Sequence, residues 1–151
     1  MKLAAKVVAP LALVALTHAA PAAADPMFGV RLGYYTDVEE PFIGGELLLR
    51  LAPRLYLNPN VEAVLVSGGR LVTLNADVHY DLPTGRTMVW IGAGLAAINA
   101  DPEGPDNGDT DLGVNFFGGV GRRTGRVIPY LQAKVIAKDD AELVLAAGIR
   151  F

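Results

Sequence analysis

The sequence contains no cysteine. That excludes disulfide bonds, thiolate nucleophiles, thiolate metal ligands and a lipid-modified cysteine after an export signal. Histidine is almost as scarce, with only His18 and His79, and Ser67 is the sole serine. No segment offers 18 consecutive apolar residues, so a membrane-spanning helix is not expected. Basic residues are outnumbered, 13 against 16 acidic ones, for a net charge of −3. A basic face for nucleic acid is therefore not expected.

The first 24 residues read as an export signal rather than as part of a fold. Lys2 and Lys6 give a positive start, Val7 to Leu16 is apolar, and Ala22-Ala23-Ala24 precedes Asp25. This is the pattern of a cleaved secretory signal peptide, residues 1–24. A membrane anchor fits less well, because the uninterrupted apolar core is short and Pro10 and Pro21 flank it. Loss of Lys2 and Lys6 leaves 11 basic residues against 16 acidic ones, net −5. Residues 25–151, about 127 of them, suit one domain.

The dominant pattern in 25–151 is a period of two, repeated eight times. It predicts strands at about 27–36, 42–51, 54–66, 70–81, 87–98, 111–121, 127–137 and 141–151. One parity is apolar in every one of them: Val72, Leu74, Ala76, Val78 and Tyr80 in the fourth, Leu143, Leu145, Ala147, Ile149 and Phe151 in the eighth. The other parity carries Arg31, Glu46, Arg50, Arg54, Glu62, Asp77, Lys134, Glu142 and Arg150. The third strand has two candidate starts. Pro59 lacks the ladder N–H, so the strand begins either near Arg54 or near Asn60, with 52–59 then a wider turn.

Eight strands of this length fit an eight-stranded antiparallel up-and-down transmembrane β-barrel, apolar outside and charged inside. Such a barrel has a lumen only wide enough for side chains. The inward charges must then pair, and Arg31, Glu46, Arg50, Glu62, Asp77, Lys134 and Arg150 are the expected network. Glycines on the inward parity leave room for the long arginines and for Trp90. The reverse facing gives a soluble periplasmic lipocalin-like barrel, with a hydrophobic ligand held by Leu47, Leu49, Leu74, Ile91 and Phe116. The large apolar residues on its water-facing side (Leu71, Trp90, Phe117, Ile128, Ile136) count against it.

Connections alternate. Ala52-Pro53, Leu82 to Gly85 and Arg122 to Arg126 follow the even strands and are short. The longest, about 99–110, is acidic and follows the fifth. Short periplasmic turns and longer outer loops put that one outside. Its Asp101, Glu103, Asp106, Asn107, Asp109 and Asp111 have calcium-type oxygens but lack a complete EF-hand loop and its final glutamate. They read as a charged outer loop. Ser67 and His79 lie twelve strand residues apart, roughly 40 Å, too far for a catalytic dyad. With one histidine after the signal and no cysteine, a zinc site is not expected. The sequence thus points to no catalytic residue, no cofactor, no metal and no wide pore.

These features resemble the small outer-membrane β-barrel proteins of Gram-negative bacteria, the class of the OmpA transmembrane domain and other eight-stranded barrels. The resemblance covers nearly all of 25–151. It rests on the signal peptide, the eight strands, the short alternate turns and the closing Ala146-Ala-Gly-Ile-Arg-Phe151. It implies an outer-membrane location, lipid as surroundings and a monomer. It also implies a terminal signal, Leu143, Ile149 and Phe151, read by the barrel assembly machinery. Ala147 departs from the pattern, since an aromatic is common there. The class includes anchors, adhesins and lipid-modifying enzymes, so the resemblance implies place and fold without an activity.

Overall fold

A computed structural model describes residues 25–102 and 108–151. The expected signal peptide, 1–24, lies outside these residues, as do positions 103–107 of the acidic connection. The described chain forms β1 (Met27–Tyr35), β2 (Glu40–Ala52), β3 (Leu55–Val64), β4 (Gly69–Asp81), β5 (Thr87–Pro102), β6 (Asp109–Arg122), β7 (Ile128–Ala137) and β8 (Ala141–Arg150). Each strand pairs antiparallel with its sequence neighbours, and β1 pairs with β8 from Gly29↔Arg150 to Tyr35↔Val144. The barrel is closed, all-β, eight-stranded and up-and-down, as the periodicity predicts.

Closure extends one residue past β8. Phe28 and Phe151 exchange both backbone bonds, N to O distances of 3.0 and 2.9 Å. No edge is left there for water or another chain to pair with.

The apolar parity faces out on every strand. Leu32, Leu95 and Leu112 are 65, 64 and 77% exposed, and Val30, Ile43, Val61, Leu131 and Leu145 share that surface. Leu74, Ile91 and Phe116, which a calyx would turn inward, are each more than half exposed. Of the charged parity, Arg31, Glu46, Glu62, Asp77, Lys134, Glu142 and Arg150 are buried instead. A water-soluble fold has the opposite arrangement, because burying apolar area is its main driving force. Tyr34 and Tyr80 lie outward toward opposite ends, where amphipathic rings favour a membrane interface.

Two boundaries differ from the sequence expectation. First, β3 starts at Leu55 and runs straight through Pro59. Its ladder to β4 is continuous, with Pro59 opposite Ala76. Its ladder to β2 skips from Glu46↔Asn60 to Leu49↔Leu57, and Pro59 falls in the gap. The proline has no N–H to give to the Leu47 carbonyl across from it. The Asn58 side chain supplies one, Nδ2 to O 3.1 Å. A wider turn over 52–59 is therefore not formed. The chain reverses at Pro53-Arg54, with Arg54 left-handed at φ 67°, as a turn with proline at its first central position allows.

Second, both ends of the 99–110 connection are strand. β5 continues to Pro102 and β6 starts at Asp109, paired from Ala100↔Asp109 inward. Asn99 donates to Thr110 at 3.1 Å and Arg70 meets Asp101 at 3.3 Å. These strands have 16 and 14 residues. A tilted strand needs about 9–11 to cross hydrocarbon, and this hairpin extends past β7, whose pairing with β6 ends at Val114↔Ala137, while β4 accompanies it as far as Gly69↔Pro102.

Candidate functional site: the sealed lumen

Inward side chains fill the barrel in three levels. The end holding the β2–β3, β4–β5 and β6–β7 turns, the start of β1 and Phe151 is called the terminal rim; the opposite end is the far rim. Toward the far rim an apolar level is built from Tyr35, Phe42, Val64, Ile98, Ile136 and Val144, all buried. Tyr35 and Phe42 meet edge to face, centroids 5.4 Å apart.

The middle level is polar and charged. Glu62 is its hub: Arg31 Nη2 lies 2.7 Å from its Oε1, and Lys134 Nζ lies 3.0 Å from both oxygens. The Tyr35 hydroxyl donates to Glu62 Oε2 and also lies 3.1 Å from Thr73 Oγ1. Glu46 is the second hub, with Arg150 Nε at 2.8 Å, Arg31 Nη1 at 3.7 Å and Asn58 Nδ2 at 3.0 Å. Asp77 accepts from Asn60 and Asn115 at 3.0 and 2.8 Å, and Asn75 joins the two asparagines. Arg31, Lys134 and Arg150 thus balance Glu46, Glu62 and Asp77. Each is almost fully buried. At low dielectric such charges persist only when paired and hydrogen-bonded.

Toward the terminal rim the level is aromatic. Trp90, Phe117 and Tyr130 are buried together. Arg150 spans the two levels, its guanidinium carbon 4.9 Å from the Trp90 ring centre and 4.3 Å from that of Tyr130. Trp90 Nε1 donates to Gln132 at 3.3 Å. His79 packs between Tyr56 and Trp90, with Nε2 3.5 Å from Asp81.

Six of the seven expected lumen residues come together in the middle level. Arg50 does not. It is exposed near the terminal rim, where β2 shifts register between Arg50 and Ala52. Parity fixes the face of a side chain but not its depth. At the mouth a guanidinium keeps its hydration, which is far cheaper than burial. The asparagines Asn58, Asn60, Asn75 and Asn115 were not expected in the network. Their shared inward parity was the available signal, but a neutral side chain raises no demand for a partner in a sequence.

Ser67 lies in the β3–β4 turn at the far rim, and His79 is buried near the opposite end. Leu143, Ile149 and Phe151 share the outward face of the closing strand and stand partly exposed. Among the described residues no cluster of three or more histidine and carboxylate side chains is placed to hold a metal.

The two rims differ in charge. At the terminal rim Arg50, Arg54, Arg86, Arg122 and Arg126 are exposed. Arg123 braces two turns, Nε to the Gly85 carbonyl at 2.9 Å and Nη2 to Thr84 Oγ1 at 3.2 Å. The far rim presents Asp37, Glu39, Asp109, Asp111, Asp139 and Asp140.

An apolar exterior around a filled interior with a charge-balanced middle level defines the class: this is an eight-stranded transmembrane β-barrel. No family model matches the chain, and no curated protein matches it. Solved structures do. The N-terminal β-barrel domain of Pseudomonas aeruginosa OprF aligns at TM-score 0.58 with 18% identity, covering 83% of this chain and 96% of that one. Neisserial surface protein A aligns at 0.63 and 16%, covering 83% and 94%. A de novo designed transmembrane β-barrel aligns at 0.58 and 16%, with the same coverage of 83% and 94%. A designed sequence as similar as natural ones indicates that the shared element is the inward–outward pattern. The likeness is one of fold.

Proposed function

We propose that this protein is an integral outer-membrane barrel with a structural or surface-interaction role, without catalysis and without a wide pore. One observation carries this reading: a belt of exposed apolar side chains surrounds a lumen whose middle level holds three buried cations beside three buried anions. Water is the wrong solvent for the outside and lipid the wrong one for the inside. The outer-membrane location is supported by the expected export signal and by the natural barrels whose fold it shares. In this reading the terminal rim faces the periplasm and the acidic far rim faces out. Lipid surrounds the wall, and Leu143, Ile149 and Phe151 serve the assembly machinery during insertion.

Against a pore stand the stacked levels, which leave side chains where a channel would need water. Against catalysis stands the wide separation of Ser67 and His79.

The test is expression of the full chain in a Gram-negative host, followed by fractionation and planar-bilayer recording of the purified barrel. We expect recovery with the outer membrane, faster migration before boiling than after it, and no large stable conductance. Recovery as a detergent-free periplasmic protein overturns the membrane reading. Large, reproducible channels overturn the plugged lumen.

A further inference from the structure

The outer wall over β5–β8 carries a depression that neither lumen nor rim explains. Gly118 and Ala133 are direct cross-strand partners with outward parity and form its floor. Val89, Ile91, Val120, Leu131 and Leu145 wall it, giving an open, apolar groove of about 550 Å³. A second groove of about 410 Å³ shares Val120 and Leu131 with the first, and continues past Pro129 and Ala147 to Thr87 and Arg122 at the terminal rim. Thr87 pairs with Arg122, so Arg86 stands beside Arg122 at the groove mouth. Arg126 sits in the adjoining β6–β7 turn. All three arginines are exposed, and none is in an ion pair among the described residues.

We propose that this continuous groove seats one anionic glycerophospholipid, with an acyl chain over Gly118 and Ala133 and its phosphate at Arg86, Arg122 and Arg126. The proposal rests on the membrane reading above. Two features select this occupant. The first is length: the four residues from Gly118 to Arg122 advance about 13 Å along a strand tilted by about 40°, roughly 10 Å along the membrane normal, or two thirds of one leaflet of a core about 30 Å thick. The groove therefore lies within one leaflet, running from the headgroup level toward the midplane. The second is complementarity: the apolar channel ends at Arg122, with Arg86 and Arg126 in the two turns that flank it, and guanidinium groups suit a phosphate oxyanion by geometry as well as charge. A zwitterionic lipid satisfies the channel but carries a cation against the arginines.

The experiment is native mass spectrometry of the full-length barrel released from bilayers holding equal amounts of phosphatidylglycerol and phosphatidylcholine. We expect one phosphatidylglycerol retained per barrel, favoured about tenfold or more. The variant Arg86→Gln/Arg122→Gln/Arg126→Gln, all at exposed rim positions, should lose that preference while keeping heat-modifiable migration. Gly118→Leu/Ala133→Leu should lower retention of both lipids. Equal retention by the unaltered barrel, or a preference that survives the arginine changes, overturns the site. So does retention unaffected by filling the groove, which leaves only a charged patch. Displacement of the lipid by millimolar inorganic phosphate assigns the arginines to free phosphate and also overturns it. A barrel that never enters the bilayer sinks the membrane reading; one that enters without lipid preference sinks this site alone.

Discussion

Glu62 is the residue on which the lumen's electrostatics converge. It faces Arg31 at 2.7 Å and Lys134 at 3.0 Å and accepts from Tyr35, with no exposed surface of its own. Glu62→Leu keeps similar bulk but leaves two buried cations with one carboxylate fewer. Breaking a buried pair from one side costs about 3–5 kcal/mol, because the remaining charge stays desolvated. Urea unfolding of the barrel in lipid vesicles should register a loss of that size. Glu62→Leu/Lys134→Leu should recover part of it, since the pair leaves together. A loss below about 1 kcal/mol for the single change would show that water reaches the site. The charged members of this network were legible from sequence because an ion on an otherwise patterned strand must find a partner. Arg50 shares that parity but lies exposed at the rim: alternation gives the face, while depth depends on where the strand leaves the membrane.

At the level of strands, packing is set by a rule of opposites. An inward glycine stands directly across the ladder from a large inward side chain: Gly33 from Phe42, Gly92 from Phe117, Gly119 from Trp90, Gly148 from Tyr130. A Cβ on Gly119 would collide with Cζ2 and Cε2 of Trp90 and lie 2.9 Å from the Leu131 carbonyl. Gly119→Val should therefore push the indole from its place under Arg150 and against Tyr130. Trp90 is the sole tryptophan, so its fluorescence reports this directly. The expected change is a red-shifted emission, easier quenching by acrylamide and a lower unfolding midpoint, from overpacking that costs about 1–3 kcal/mol. An unchanged spectrum would mean that the level is loosely packed. The sequence shows that glycines cluster on the inward parity. It does not show which ring each one accommodates, because that depends on register between strands. Pro59 taught a related lesson. Its local meaning argued against a strand, and only the Asn58 amide, bonded across to Leu47, explains why β3 runs through it.

For the whole molecule, strand number and facing were legible because a period of two recurs eight times with one parity free of charge. Closure was legible in the strand count and the apolar terminal strand, but its register was not, since the pairing of Gly29 with Arg150 and of Tyr35 with Val144 joins the two ends of the barrel sequence. The same facing makes a prediction that separates a barrel in lipid from any barrel in water. Leu74 is outward, 55% exposed and near the centre of β4, whereas Leu51 is outward, 38% exposed and close to the terminal rim. In water an exposed leucine changed to arginine costs little at either place. In a membrane the cost follows depth: about 2–4 kcal/mol at the midplane and about 0–1 kcal/mol near an interface. Leu74→Arg should thus reduce stability in vesicles strongly and slow insertion, while Leu51→Arg should leave both nearly unchanged, the guanidinium reaching the headgroups. Paired unfolding measurements on the two variants supply the comparison. Equal, small effects at both positions would mean that the apolar face of β4 does not meet hydrocarbon, whatever the fold it shares with other barrels.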